Sequence, residues 1–263
     1  MRALLASPLG LLIGISLGAL GGGGSILAVP ALVYAAGQDP KHATTTSLVL
    51  VTLTALIGII PHWRAGRVRF GPGLLFGLAG VGGSLLGSHW NKSADPNVLL
   101  LAFSGLMLIA AFAMWRRVRR QPTPLPAGAA VATLAPRIDA TTVVKVLAAG
   151  TFVGLLTGFF GVGGGFVIVP ALVLALGFTM PEAVGTSLLV IAVNSVVALS
   201  TRLQAGSIEW GTVVPFTVAS LIGVLIGSKL ASTRDSSSLQ RWFVGLLVVV
   251  AVYTATRSAL ALG

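Results

Sequence analysis

The sequence predicts an all-α polytopic membrane protein with two homologous halves, and three observations predict it. Apolar residues make up 55% of the chain and charged residues 9%, with mean hydropathy +0.97, whereas soluble domains carry roughly 25% charge. Apolar runs approaching the roughly 20 residues that a spanning helix needs follow one another with short polar breaks. The third observation is a duplication at a constant offset of 140 residues. It pairs Gly18 with Gly158, Gly21 with Gly161, Gly23-Gly24 with Gly163-Gly164, Pro30 with Pro170 and Thr46-Ser47 with Thr186-Ser187. It continues through Ala65-Gly66 and Ala205-Gly206, Gly83 and Gly223, Gly87 and Gly227, and Phe103 and Phe243. Chance identity between apolar segments does not keep one offset through glycines, a proline and a Thr-Ser pair.

The same composition excludes several function classes. With no cysteine there is no disulfide framework, thiolate metal site or cysteine nucleophile. The net charge of +11 sits in short segments between apolar runs, as topology signals do, and no soluble basic domain is present to bind nucleic acid. Neither an H-E-x-x-H pair nor a G-x-S-x-G elbow occurs, so the chain does not read as an enzyme. No cofactor or metal is expected. Arg2 before an apolar stretch resembles a signal peptide, but the stretch runs through glycines to Ala36 without a polar cleavage region and recurs internally.

Taken in order, Leu9 to Leu20 is an apolar limb, Gly21-Gly22-Gly23-Gly24-Ser25 breaks it, and Ile26 to Ala36 is a second limb. Asp39 to His42 form a polar turn. Thr44-Thr45-Thr46-Ser47 then offer N-cap chemistry for a run ending near Pro61. His62 to Arg69 is a basic loop with an interfacial Trp63. Spans follow from Phe70 to Gly87 and from Asn97 to Trp115. Residues 116–141, rich in Arg and Pro, link the halves, so the organisation is 1–115, 116–141 and 142–263. In the second half Lys145 shortens the first limb to Val146–Gly158, and the glycine break Gly161-Val162-Gly163-Gly164-Gly165 precedes a limb from Phe166 to Phe178. Gly185-Thr186-Ser187 cap a run to Ser200, and Trp210–Leu230 and Trp242–Leu262 complete the set.

Topology follows from how the glycine segments 9–36 and 146–178 are treated. If each crosses the bilayer, about eight spans form two parallel halves. If each re-enters as two half-helices, about three full spans remain per half and the halves are inverted. The positive-inside rule does not separate these, because Lys229, Arg234 and Arg241 replace Arg2, Arg202 and Arg257 on the basic side. The short limbs and Lys145 favour the re-entrant form. Both arrangements place the His62–Arg69 loop and the linker in the cytoplasm.

A run of glycines costs a helix about 1 kcal/mol per residue relative to Ala, so open backbone is required at both breaks. Half-helices starting there would aim free N–H groups and positive dipole ends into a cavity, which suits an anion. Interrupted segments at matching positions of duplicated halves also point to a transporter's binding site. The candidate substrate-binding residues are Gly21, Gly22, Gly23, Gly24 and Ser25 at the first break and Gly161, Gly163, Gly164 and Gly165 at the second. Thr46, Ser47, Thr186 and Ser187 supply hydroxyls, or else only caps. Asn194, the uncharged amide within the 183–200 run, donates to substrate or bonds a neighbouring helix. Tight packing by small residues is the competing reading of the glycines, and it is the whole reading of Gly83-x-x-x-Gly87 and Gly223-x-x-x-Gly227. His62 and Arg202 correspond under the offset; an interfacial anchor is the commoner role for such cations. No Asp or Glu lies inside an apolar run, so the usual proton or cation carrier is missing.

Gly158-Phe159-Phe160-Gly161-Val162-Gly163-Gly164-Gly165 with Val169-Pro170-Ala171-Leu172 and Gly185-Thr186-Ser187-Leu188 closely resembles the TauE/SafE family of sulfite exporters and related permeases. The resemblance covers nearly the whole chain except the linker. It implies a bacterial inner-membrane protein with about eight segments in two halves, moving sulfite, sulfonates or similar organosulfur anions. The first half departs from the motif: Ala19-Leu20 replace Phe-Phe, Gly22 replaces Val, Ser25 replaces the last Gly, and Thr45 stands where Gly185 does. The expected partners are a small anionic substrate and membrane lipid; a homo-oligomer is compatible with the sequence. The expected function is secondary transport by alternating access, with an anion channel or a non-transporting scaffold as the alternatives.

Overall fold

A computed structural model describes residues 2–34, 37, 40–91, 96–120, 140–160, 165–202 and 210–262, and among them every regular element is helical. The first five helices are α1 (Arg2–Leu20), α2 (Gly23–Tyr34), α3 (Pro40–Arg64), α4 (Phe70–Asn91) and α5 (Pro96–Arg120). The rest are α6 (Ala140–Phe160), α7 (Gly165–Leu174), α8 (Met180–Arg202), α9 (Trp210–Thr233) and α10 (Ser236–Leu262). Six contain stretches long and apolar enough to cross a membrane: Thr45–Arg64, Phe70–His89, Ala140–Phe159, Met180–Ser200, Val213–Thr233 and Ser236–Thr256. Pro8–Leu20 and Gly165–Leu174 are apolar but shorter.

Three local expectations are corrected. Lys145 does not shorten its limb, because α6 runs unbroken from Ala140 and Lys145 stays exposed on it; a long aliphatic stem lets such a charge reach the interface. Thr46 and Ser47 are not N-caps, since α3 already starts at Pro40, where a proline's missing N–H costs a helix nothing. Thr186 and Ser187 likewise lie inside α8. The residue capping α8 is Thr179, whose N–H and hydroxyl both donate to Glu182 Oε2, at 3.1 and 3.0 Å. That is one arm of a capping box.

Two long seams hold the bundle. On α1, Gly10, Gly14 and Gly18 back onto Phe216, Ser220 and Val224 of α9. On α6, Gly150, Gly154 and Gly158 back onto Phe76, Gly80 and Ser84 of α4. A Cβ on any of these six glycines would meet backbone atoms of the facing helix, so the helices touch main chain to main chain, as small residues permit in a membrane. Ser220 adds a bond, its hydroxyl donating to the Gly10 carbonyl at 2.8 Å. In both seams residue numbers rise together, so α1 runs parallel to α9 and α6 parallel to α4. Gly83 and Gly87 on α4, and Gly223 and Gly227 on α9, lie in the same seams and pack as small-xxx-small faces.

Beside these seams α3 packs on α8, and α5 on α10. Phe76, Phe103, Phe166, Phe216 and Phe243 are fully buried, and Phe103 meets Phe166 edge-to-face at 4.8 Å. Leu78, Leu85, Ile109, Phe152 and Val249 are exposed on outer faces, where lipid replaces water as the solvent. The bundle's centre is therefore left to the two short helices α2 and α7. Gly165 to Pro170, Leu172 and Val173 of α7 are buried.

Candidate functional site at the paired helix breaks

The first break is a chain reversal. Gly21 adopts φ +69°, a left-handed conformation that L side chains disfavour, and its N–H donates to Leu17 O at 2.8 Å to close the last turn of α1. Past the turn, a Cβ on Gly24 would lie 2.7 Å from Ile13 O and 2.8 Å from Leu17 Cα. Gly24 thus sits beside a residue eleven positions earlier in the chain, so α2 folds back along α1 rather than continuing it.

The reversal delivers the start of α2 to the start of α7. A Cβ on Gly22 would collide with the backbone of Gly165, and one on Gly165 would lie 2.9 Å from Gly22 O and 3.1 Å from Gly22 Cα. Gly165 also faces the Ser25 hydroxyl. Ser25 and Gly165 are partners at the 140-residue offset, and they touch. The first N–H groups of a helix have no partner one turn back within it, and although the Gly24 N–H reaches Gly21 O at 3.5 Å, two helix starts with their positive dipole ends converge at this point.

The third wall is α8. Gly21 faces the Ser187 hydroxyl and the Val184 backbone. Ser187 donates to Val184 O at 2.8 Å, and Ser25 donates to Gly22 O at 2.7 Å, so both hydroxyls hold their own turns while their oxygens remain at the break. Thr186 is fully buried and accepts the Arg69 N–H at 3.1 Å. Thr186 thereby ties the α3–α4 turn to α8, and its own proton is left to donate elsewhere. The Arg69 side chain reinforces the tie: Nε and Nη2 donate to Glu182 Oε1 at 3.0 and 2.5 Å.

The structure brings Gly21, Gly22, Gly24, Ser25, Gly165 and Ser187 together, with Gly23 in the first turn of α2. Thr46 and Ser47 are buried on α3, which packs against α2 and α8. Asn194 is not at the breaks. It is half-buried on α8 beside Gly80 of α4, and its Oδ1 is buried without a hydrogen-bond partner. Gly161, Gly163 and Gly164 lie outside the described residues. Among the described residues no cluster of His, Cys, Asp or Glu is arranged to hold a metal.

Two contributions were not legible beforehand. His62 is 1% exposed, not an interfacial anchor, and its Nε2 lies 3.0 Å from Gly18 O at the end of α1. The Arg69–Glu182 pair joins residues 113 apart, and nothing local marked either residue as the other's partner.

Residues 6–254 match the family model described as Sulfite exporter TauE/SafE. The chain belongs to that family. A "Probable membrane transporter protein" of Xylella fastidiosa (strain 9a5c) is 35% identical over 253 residues, covering 94% of this chain and 92% of the relative. The Bacillus subtilis (strain 168) protein YunE, with the same description, is 25% identical and covers 96% of this chain and 95% of its own. YdhB of that organism is 27% identical over 84% of this chain and 87% of its own. No solved structure matches the chain. As a TauE/SafE member with six membrane-capable helices, the protein is a multi-pass membrane transporter, and its bacterial relatives place it in the plasma membrane.

Proposed function

We propose that this TauE/SafE protein is a secondary carrier of small sulfur-containing anions such as sulfite or organosulfonates, and not an enzyme. The observation that carries the reading is the meeting of the α2 and α7 N-termini at Gly22 and Gly165. The anion sits where those ends converge, held by N–H groups of the breaks with Ser25 and Ser187 alongside. Thr46, Thr186 and Asn194 line the route to it. Irregular backbone at membrane depth is stable only when protein or a water-filled cavity satisfies it, and a bound anion does the same.

An inverted repeat supports alternating access. The halves are 1–115 and 142–263, joined by a cytoplasmic linker at 116–141, with α2 and α7 re-entrant. Helix directions support the inversion. The ends of α1 and α3 lie together through His62 and Gly18, and α4 returns from α3 through a tight turn at Gly66. Hence α4 opposes α1, while α6 runs with α4 and α9 runs with α1. Rocking of one half against the other would expose the breaks to each side in turn.

The test is a flux panel in proteoliposomes with labelled sulfite, sulfate, thiosulfate, sulfoacetate and taurine. The reading expects saturable uptake and counterflow of at least one anion; preference for neutral or cationic solutes would refute it.

A further inference from the structure

A secondary carrier is driven by a coupling ion, and among the described residues no carboxylate is buried to bind one. Among the described residues, His62 is the one ionisable side chain in the buried interior. Its ring lies at the end of α1, with Nε2 3.0 Å from Gly18 O and Nδ1 buried without a partner. A carbonyl only accepts, so Nε2 carries the hydrogen and Nδ1 presents a bare lone pair. Gly18 precedes Gly21 by three residues, about 4.5 Å of helix rise, so the ring is close to the first break.

We propose that His62 is the proton site of the transport cycle and that anion and proton move together. This rests on the anion-carrier reading. The proton comes from water on the loading side and binds Nδ1, giving an imidazolium; it leaves from Nδ1 to water on the release side. No other bond changes. Burial and the neighbouring Arg67 guanidinium oppose a charged ring, so the imidazolium forms when the negative end of α1, whose Gly18 carbonyl the ring already holds, is joined by an anion at the adjacent glycines. Each ion therefore binds better when the other is present, which is what symport requires.

Of the charged groups around His62, Arg67 is the one that opposes an imidazolium, and the others are paired or exposed. Arg67 of the following turn donates its N–H to His62 O at 2.9 Å and reaches toward Ala231 O of α9 at 3.5 Å. On α8, Glu182 is occupied by Arg69 and Thr179. Arg64 and, on α9, Lys229 are exposed, and the described part of α1 that packs here, Leu9–Leu20, carries no charge. The residue 140 positions on from His62 is Arg202, a permanent cation, so only the first half carries a group that changes charge here.

The test uses the full-length protein in proteoliposomes at zero membrane potential, with labelled sulfoacetate and thiosulfate as probes and a pH dye inside. Both anions are fully ionised between pH 6 and 8, so neither carries the proton itself. For wild type, an inward proton gradient should raise initial uptake at least tenfold over symmetric pH, with lumenal acidification tracking uptake. In His62→Gln and His62→Arg that ratio, measured within each preparation and so independent of how much protein folded, should fall to about one. Wild-type uptake indifferent to the gradient overturns the proposal without any variant, as does a tenfold ratio retained by either variant. Absence of flux for every anion in the panel overturns the carrier reading and this proposal together, whereas flux without proton dependence overturns this one alone.

Discussion

Gly22 and Gly165 touch through their backbones: neither position has room for a single methyl group, because the other residue's main chain fills it. Two half-helices from distant parts of the chain are thereby pinned end to end. Gly22→Ala should cost about 1–3 kcal/mol of stability, the range for overpacking a close-packed interior, and should abolish anion uptake. Gly105→Ala, at an open helical position with nothing within 4 Å of the added carbon, should leave uptake intact and raise stability by up to about 1 kcal/mol. Thermal unfolding in detergent and labelled uptake check both.

The glycine seams give a structural prediction separate from transport. Gly14 backs onto Ser220 of α9, and Gly154 onto Gly80 of α4, so Val at either should prevent assembly of the bundle. The two losses should be alike, because the seams are alike. Gly82, on α4 with nothing near its added carbon, should accept Val with a monodisperse profile in size-exclusion chromatography.

Ser25 lies at the break with its oxygen toward Gly165. Ser25→Ala removes a hydroxyl beside the proposed anion position while sparing the backbone contact. The expected result is a KM raised several-fold with a smaller change in maximal rate: the one hydroxyl hydrogen, which donates to Gly22 O at 2.7 Å, must turn to the anion, so the net gain is the difference between a hydrogen bond to a charged group and one to a carbonyl, about 1 kcal/mol. Concentration dependence of uptake reads it directly.

Arg69 and Glu182 join the α3–α4 turn to the first turn of α8, with side chains 30% and 22% exposed. At that exposure Glu182→Gln should cost about 1 kcal/mol, combining a screened ion pair with a weakened cap. A charge swap, Arg69→Glu with Glu182→Arg, should recover part of the pair's share in a double-mutant thermal-unfolding cycle.

The glycine breaks were legible because Gly clusters and a repeat offset are local signals that survive without a structure. Helix starts were less so. Thr46 and Ser47 have the chemistry of caps, yet Pro40 had already started the helix, and packing across the bundle decides between such signals. Lys145 looked like a boundary because a charge is costly in hydrocarbon, but its helix extends to where the ammonium can leave it. His62 ends an apolar run, the usual place for an anchor. Only the early stop of α1, with its Gly18 carbonyl turned to the ring, draws the histidine inside. Arg69 finds Glu182 across 113 residues, a distance at which sequence pattern carries no information.

The site's position can be measured because the chain has no cysteine. In Ser25→Cys the only thiol would stand at the meeting of α2 and α7, and in Ser232→Cys it would stand on the exposed end of α9. Labelling rates with a small methanethiosulfonate sulfonate reagent, with and without saturating sulfoacetate, report whether the anion occupies the breaks. The predicted result is labelling slowed several-fold at position 25 and unchanged at position 232. Equal rates at position 25 with and without an anion that the same preparation transports would contradict it.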